Sequence, residues 1–293
     1  MMTLPSVVVK GKGVGCVFLL LKSVNLQGKG LERDGLGWVG LGVGWAGKRV
    51  LILRNNSFIR EFKLTCSKCD SFHVNAWTLA ALRCGVRELD VCFSAKQEPF
   101  KLTHDLFAFQ QLVYIRLGKK FLLDVPKSVC LPKLEDLYLD SIEFSDDDSI
   151  RRLISSSPVL EELMVVKCGF KNIRVFRVSA PKLKKLIIEC STDEDDDSTT
   201  EACEHEIVVD APLLESLWYS DFVARAYSLK NLQCLLCVLI DVNMRSAEKL
   251  DVVMRGFDLL SGVSKSKALT LTVCSLAVSL VNIYFFISRF SLK

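Results

Sequence analysis

The sequence lacks the residue patterns that usually indicate catalysis. Its 293 residues include only three histidines, His73, His104 and His205, and these are scattered along the chain. It contains neither a nucleophile elbow of the Gly-x-Ser-x-Gly type nor a phosphate-binding loop. We therefore expect no catalytic residues, no bound cofactor and no enzymatic activity.

A strong net charge of one sign is also missing. The 38 Lys and Arg residues nearly balance the 34 Asp and Glu residues, which leaves a formal net charge of +4. Basic residues are scattered, whereas nucleic-acid-binding domains concentrate them on one face or along one helix. We therefore expect no nucleic-acid partner.

Apolar residues are abundant, at 50% of the chain, and many of them recur in the frame apolar-x-x-apolar-x-apolar. Seven copies are Ile59, Phe62, Leu64; Val86, Leu89, Val91; Leu112, Ile115, Leu117; Leu134, Leu137, Leu139; Leu160, Leu163, Val165; Leu183, Leu186, Ile188; and Leu214, Leu217, Tyr219. Five of the six steps between copies are 22 to 27 residues long, within the range of leucine-rich repeats. Weaker copies follow at Leu232, Leu235, Cys237 and near Leu269, Leu271.

This frame predicts an α/β leucine-rich-repeat solenoid with a curved, parallel sheet on its concave side and irregular or helical return segments. Residues two apart on a strand share a face, so Leu163 and Val165 both point into the core. Cys168 follows where the chain turns away, and it can satisfy or tolerate the backbone groups of that turn. An ordinary α/β fold is the alternative, but seven copies in one frame disfavour it.

Two return segments carry helix signals. The stretch DDDSIRRLISSSP has carboxylates that can cap a helix, then Ile150, Leu153 and Ile154 at helical spacing, then Pro158 as a stop. The stretch VNAWTLAALRCGV places Asn75 as a cap, with Trp77, Ala80 and Ala81 on one face and Gly85 at the end.

The same register exposes the residues that alternate with the core positions. We expect Tyr114, Arg116, Tyr138, Met164 and Trp218 to form a protein-binding stripe on the strand side, since exposed Tyr, Trp and Arg are favoured at interfaces. An ordinary solvated sheet face with occasional aromatic residues is the alternative.

With the repeat established, the sequence resembles the repeat region of plant F-box proteins with leucine-rich repeats. The resemblance rests on residues 62–91, on SSSPVLEELMVVKCGF (155–170), on SAPKLKKLIIE (179–189) and on residues 209–236. It implies a leucine-rich-repeat domain over residues 50–275 that binds a protein ligand without enzymatic activity. Its counterpart in the family is the substrate-recognition part of a ubiquitin-ligase receptor of the SCF type.

Residues 1–49 do not resemble the helical F-box module through which that family docks the ligase adaptor. They contain Thr3-Leu4-Pro5 and then many glycines, and we expect a disordered segment without adaptor docking. The stretch GLGWVG (35–40) matches a dinucleotide-binding fingerprint, but neither the preceding strand nor the following helix is apparent. The FBD domain that often ends the family is not recognisable either.

Other stretches admit a binding interpretation and a simpler one. The pairs Cys66-x-x-Cys69 and Cys234-x-x-Cys237 have zinc-ligand spacing, but they fall at opposite ends of the predicted solenoid. We interpret them as core or surface thiols and expect no metal site. Residues 191–206 hold eight carboxylates and no Lys or Arg, which we interpret as a solvated insertion loop rather than a cation site.

The apolar stretch 268–288 is uncharged and 21 residues long, enough to span a bilayer. A membrane-anchored interaction protein is therefore the alternative function, although KALTLTV at its start resembles a repeat strand. The leading interpretation treats 276–293 as an apolar tail and places the protein in the cytoplasm or nucleus, because irregularly spaced cysteines within apolar runs favour a reducing compartment.

Overall fold

The computed structural model describes residues 6–10, 17–23, 59–66, 71–93, 99–119, 121–189, 205–243 and 250–272. The strands are β1 (Ser6–Lys10), β2 (Val17–Ser23), β3 (Ile59–Cys66), β4 (Glu88–Phe93), β5 (Phe100–Lys101), β6 (Tyr114–Gly118), β7 (Phe121–Leu123), β8 (Asp136–Asp140), β9 (Glu143–Phe144), β10 (Glu162–Val166), β11 (Val175–Ser179), β12 (Lys185–Glu189), β13 (Glu206–Asp210), β14 (Ser216–Phe222), β15 (Ala226–Lys230), β16 (Cys237–Asn243) and β17 (Ala268–Leu271). The helices are α1 (Ser71–Arg83), α2 (Asp147–Ser155) and α3 (Leu250–Gly262), with a 3₁₀-helix at His104–Ala108.

The main sheet has the strand order β1-β2-β3-β4-β6-β8-β10-β12-β14-β16-β17. From β3 to β17 every neighbouring pair is parallel. Two small parallel sheets, β5-β7-β9 and β11-β13-β15, occupy the return segments. The chain therefore forms successive coils, each adding one strand to the main sheet. The predicted leucine-rich-repeat architecture is confirmed.

The seven predicted registers are confirmed. Leu137 pairs with Leu163 and Leu163 with Leu186 on adjacent parallel strands, and all three side chains are almost fully buried. Because the strands align in step, each leucine of the frame stacks on its counterpart in the next coil. The repeat spacing in the sequence is thus the length of one complete coil.

The eighth register was predicted three residues too early. The strand residues equivalent to Leu217 and Tyr219 are Val238 and Ile240, not Leu235 and Cys237. Leu232 and Leu235 are both buried in the turn before β16, whereas Cys237 is exposed. The misassignment arose because these turn leucines have the same spacing as the strand residues. The ninth register, at Leu269 and Leu271, is confirmed.

Cys168 closes the turn after β10 as its position predicted. Its buried Sγ accepts a hydrogen bond from the backbone N–H of Ile142 at 3.4 Å and lies 3.4 Å from the carbonyl oxygen of Val166. Burial raises the pKa of this thiol to about 12, so it stays protonated. The preceding residue, Lys167, takes a left-handed conformation with φ of 52°, which turns the chain out of the sheet.

Helix α2 begins and ends where the sequence predicted. The carboxylate of its N-cap, Asp146, accepts a hydrogen bond from the N–H of Ser149 at 2.6 Å, and the apolar side chains Ile150, Leu153 and Ile154 are buried. The helix ends before Pro158 because the residue preceding a proline disfavours the helical conformation.

Helix α1 forms where expected, but its start was predicted one turn too late. It begins at Ser71, so Asn75 lies inside it rather than at its cap. The Asn75 side chain instead accepts a hydrogen bond from the N–H of Thr103 and donates one to the carbonyl of Lys101. Trp77 and Ala81 are buried and Ala80 packs against the core, as predicted. Gly85 follows the helix with φ of 77°.

The ends of the chain are described in part. Within residues 1–49, β1 and β2 are strands that pair antiparallel, and β2 also pairs antiparallel with β3. The fingerprint at 35–40 lies outside the described residues. At the other end, β17 makes the start of the apolar stretch 268–288 a strand, and residues from 273 onward lie outside the described part. No described helix is long and apolar enough to cross a membrane.

Candidate protein-binding face

One face of the main sheet carries the buried leucines of the core. The opposite face, which we call the open face, carries the strand residues that alternate with those leucines. Because the strands are parallel and in register, the residues of the open face form three rows across the strands. The first row is Glu61, Glu88, Tyr114, Asp136, Glu162, Lys185, Ser216, Cys237 and Ala268. The middle row is Lys63, Asp90, Arg116, Tyr138, Met164, Ile187, Trp218, Leu239 and Thr270. The last row is Thr65, Cys92, Gly118, Asp140, Val166, Glu189, Ser220 and Asp241.

The five residues predicted to bind a protein lie together on this face. Four of them, Arg116, Tyr138, Met164 and Trp218, are in the middle row, and Tyr114 is in the first row on the same strand as Arg116. None of the five is fully buried. Whether they bind a ligand stays a prediction, taken up under Proposed function.

The sequence prediction omitted two members of the same row. Ile187 lies between Met164 and Trp218, and Leu239 lies beside Trp218 on the next strand. The register placed Ile187 on the open face, but a choice based on aromatic, Arg and Met side chains left it out. Leu239 was missed because the eighth register was shifted by three residues.

The middle row is charged at one end and apolar over the five positions that follow. Lys63, Asp90 and Arg116 are followed by Tyr138, Met164, Ile187, Trp218 and Leu239, which we call the apolar row. Trp218 is 40% exposed, and Leu236, just before β16, is 36% exposed. A continuous line of apolar side chains therefore crosses five adjacent strands on an accessible sheet face.

Asp90 organises the charged end of the row. Its carboxylate lies 2.6 Å from Nζ of Lys63 and 3.9 Å from Nη1 of Arg116, although only 9% of the residue is exposed. The Arg116 guanidinium lies over the Tyr138 ring, 4.7 Å from its centroid. Burial has the largest single effect and lowers the pKa of Arg116, but Asp90, Tyr138, Cys92 and Tyr114 together raise it by more, so this cation is held firmly charged. Its Nε is buried and has no hydrogen-bond partner among the described residues.

A polar concavity of about 540 Å³ opens at this end of the face. It is lined by Arg60, Glu61, Lys63, Glu88, Asp90, Val113, Tyr114, Arg116, Glu135 and Asp136. Burial and the nearby Asp90 raise the pKa of the Tyr114 hydroxyl. Burial and Asp140 likewise raise the pKa of Tyr138. Both phenols therefore stay neutral and can donate hydrogen bonds to a ligand.

Some of the carboxylates next to the apolar row are paired with a lysine, and others are not. Glu162 pairs with Lys185 at 3.3 Å, and Glu161 pairs with Lys184 at 2.7 Å. Asp136 has no salt bridge within the described part of the chain. Burial, followed by the repulsion of Glu162, raises its pKa. A cation placed beside Asp136 would relieve that repulsion.

The described residues do not assemble a metal-binding cluster. Among them, no cluster of three or more His, Cys, Asp or Glu side chains has a metal-binding arrangement. The interpretation as thiols is wrong for Cys66, which is disulfide-bonded, and it is confirmed for Cys234 and Cys237, which are exposed free thiols. Cys69 lies outside the described residues. His73 packs against Trp77 in α1, and His104 lies 3.8 Å from Asp124.

The third histidine, His205, is buried and lies 3.6 Å from a carboxylate oxygen of Asp221. Its ring packs on that of Phe170, with 4.7 Å between the ring centroids. It immediately precedes β13 and therefore belongs to the return side, away from the open face. Of the predicted acidic loop 191–206, only residues 205 and 206 are described.

Known proteins match the region that forms the coils. Residues 74–257 match the family described as "FBD-associated F-box protein At5g56370, LRR repeats". The putative FBD-associated F-box protein At1g05080 of Arabidopsis thaliana is 30% identical over 190 residues, which are 64% of this chain and 42% of the relative. The F-box/LRR-repeat protein At3g59200 of the same plant is 29% identical over 253 residues, which are 78% of this chain and 46% of the relative.

A third relative, the F-box/FBD/LRR-repeat protein At5g56420 of Arabidopsis thaliana, is 31% identical over 180 residues, covering 60% of this chain and 41% of the relative. The chain thus spans less than half the length of each of these three relatives. No solved structure matches. The in-register coils and the match over residues 74–257 agree, and the chain belongs to the leucine-rich-repeat family of FBD-associated F-box proteins.

Proposed function

We propose that this chain is a non-enzymatic protein-binding domain whose open face captures a protein ligand. The observation that carries the proposal is the apolar row, which crosses five strands beside the Arg116–Tyr138 pair. The similarity to F-box/LRR-repeat and F-box/FBD/LRR-repeat proteins supports a role like that of the substrate-recognition part of an SCF-type F-box receptor. The cytoplasm or nucleus is the compartment that this role implies.

The size and composition of the row suit a protein segment. Neighbouring strands lie about 4.8 Å apart, so the four spacings from Tyr138 to Leu239 span about 19 Å. Aromatic and Arg side chains are over-represented among residues that dominate binding energy, especially where surrounding contacts exclude water. Trp218 lies between Ile187 and Leu239 and is the most exposed large side chain of the row. We expect it to be the main anchor.

Affinity capture from plant extract with the purified chain tests the proposal. Trp218→Ala should abolish capture of the protein that the wild type retains, because the anchor is lost. Phe72→Ala is the matched control, since Phe72 is 72% exposed but lies on α1 rather than on the open face. If both variants retain the protein equally, or both lose it, the open face is not the binding surface.

We further propose that residues 1–49 do not dock the ligase adaptor. An F-box would present a helical apolar surface, whereas Ser6–Lys10 and Val17–Ser23 are strands paired along the main sheet. The glycines between Gly28 and Gly47 also oppose a helix, each by about 1 kcal/mol relative to alanine. Residues 1–49 would then not link the bound ligand to a ligase.

A pull-down with purified components separates adaptor binding from ligand binding. The 293-residue polypeptide should not retain the adaptor subunit, while a full-length F-box relative from Arabidopsis thaliana should retain it in the same experiment. Stoichiometric adaptor binding by this polypeptide would contradict this part of the proposal and leave the open-face prediction intact.

A further inference from the structure

We propose that the open face selects a protein segment that carries a basic side chain four to five residues from an apolar one. The apolar side chain would pack on Trp218 and the apolar row, and the basic side chain would pair with Asp136. The inference rests on the proposed function and specifies the chemistry of the ligand at that site.

The charge of the open face is opposite to that of the chain. Across strands β3 to β17, the three rows hold eight carboxylates and three cations, which gives this part of the face a charge of −5, whereas the whole chain carries +4. The carboxylates are Glu61, Glu88, Asp90, Asp136, Asp140, Glu162, Glu189 and Asp241, and the cations are Lys63, Arg116 and Lys185. Complementary charge steers association and disfavours partners of like charge. A basic ligand segment is therefore favoured, and an acidic segment would be repelled.

The three cations of these rows are already engaged, whereas four carboxylates beside the apolar row, Asp136, Asp140, Glu189 and Asp241, make no salt bridge in the described part of the chain. Of these four, only Asp136 lines the polar concavity. Lys63 and Arg116 face Asp90, and Lys185 pairs with Glu162. Asp136 makes no salt bridge in the described part of the chain, and it lies directly between Tyr114 and Glu162 in the first row. Bringing a Lys or Arg to Asp136 adds an ion pair without breaking an existing one.

The register sets the spacing of the ligand. Three strand spacings separate Asp136 on β8 from Trp218 on β14, and Trp218 is two residues further along its strand. These offsets correspond to about 14 Å across the sheet and about 7 Å along it, so the two positions lie about 16 Å apart. An extended segment advances about 3.3 Å per residue, and four to five residues cover this distance.

Selection from a phage-displayed library of random peptides tests the chemistry directly. Peptides of about 12 residues are long enough, because they extend to about 40 Å. The bait is the full 293-residue chain. The expected enriched sequences carry Lys or Arg four to five positions from Trp, Phe, Leu or Met. Enrichment of acidic peptides, of peptides without a charge preference or of no peptide would overturn the proposal.

The enriched peptide should then respond to changes on both sides of the contact. Asp136→Asn should weaken its binding about two- to five-fold, as expected for an ion pair at the rim of an interface. Trp218→Ala should weaken it about thirty-fold or more. Glu143→Gln is the control, because Glu143 is an exposed carboxylate on β9, outside the main sheet, and it should leave binding unchanged.

A charge exchange provides the second readout. Asp136→Lys should reject the Lys-containing peptide and accept the same peptide with Glu in place of Lys. If the captured protein of the previous section is lost with Trp218→Ala but is unaffected by Asp136→Asn and Asp136→Lys, the proposed function holds and the basic-ligand inference is wrong.

Discussion

The guanidinium of Arg116 lies over the ring of Tyr138 on the neighbouring strand, 4.7 Å from the ring centroid. On its other side it faces the Asp90 carboxylate, which also pairs with Lys63. Asp90 therefore connects three strands of the sheet and fixes the position of Arg116, the cation next to the apolar row. Such packing reduces the side-chain entropy that a ligand contact would otherwise cost.

Asp90→Ala should lower the free energy of unfolding by about 1–3 kcal/mol, because it removes the acceptor of a charged contact and leaves Lys63 and Arg116 close to each other. Urea denaturation measures the difference. Glu143→Gln again serves as the control and should change stability little. Equal stability of the wild type and Asp90→Ala would mean that this ion pair does not hold the sheet face together.

Because burial alternates along the strands, the loss of unfolding free energy on truncation to alanine should alternate as well. Leu137→Ala and Leu163→Ala should each cost about 2–5 kcal/mol, because both side chains are fully packed in the core. Tyr138→Ala and Met164→Ala, one position along each strand, should cost much less. The pairs share a strand, so each exposed position controls for its buried neighbour. Four equal losses in denaturant melts would mean that the assignment of the two faces is wrong.

The sequence was sufficient for these core positions because each coil repeats the same spacing of buried residues. It was not sufficient where buried turn residues have the same spacing as buried strand residues. Leu232 and Leu235 are such turn residues, and their spacing predicted a strand three residues too early. The Asp90 contacts to Lys63 and Arg116 depend on how three coils align, which the steps of 26 to 27 residues between their frames encode only indirectly. The small sheets on the return side carry no such repeated frame and were not predicted.

The hydrogen bond that Cys168 accepts should contribute to the stability of the fold. Cys168→Ala should cost about 1–3 kcal/mol, because the buried N–H of Ile142 loses its acceptor. Cys168→Asn should retain most of the stability, since Asn occupies this position in many leucine-rich repeats and its side-chain oxygen accepts a hydrogen bond. Thermal unfolding of the three proteins provides the comparison. A smaller loss for alanine than for asparagine would contradict a hydrogen-bonding role.

The raised pKa of the Cys168 thiol leads to an independent measurement. In the native protein at pH 8, alkylation should modify the exposed Cys130, Cys234 and Cys237 before Cys168, because thiolate and not thiol reacts. Mass spectrometry of timed samples identifies the order. Early modification of Cys168 in protein that is still folded would show that its sulfur is accessible and ionised.

Asp136 should have little role in stability if it serves a ligand. Because burial and Glu162 raise its pKa, ionised Asp136 is disfavoured in the folded protein. Asp136→Asn should therefore leave the melting temperature at pH 7 unchanged or raise it, while weakening the basic peptide. A lowered melting temperature would indicate that Asp136 has a structural role instead.

The buried His205 should make stability fall in mild acid. Burial lowers its pKa to about 4, from about 6.5 in the unfolded chain. The carboxylate of Asp221, 3.6 Å from Nε2, acts in the opposite direction, but Nε2 makes no hydrogen bond to any of the described residues and burial dominates.

Between pH 6.5 and pH 4 the unfolded chain therefore binds the proton that the folded protein excludes. The stabilisation is fully present above pH 6.5 and is lost as the pH falls towards 4, with a loss of about 2 kcal/mol by pH 5. His205→Phe retains ring packing on Phe170 and cannot titrate, so the slope of unfolding free energy against pH should be shallower in that variant. An NMR titration of the wild-type ring provides the direct check, and a His205 pKa of 6.5 or above would contradict the prediction.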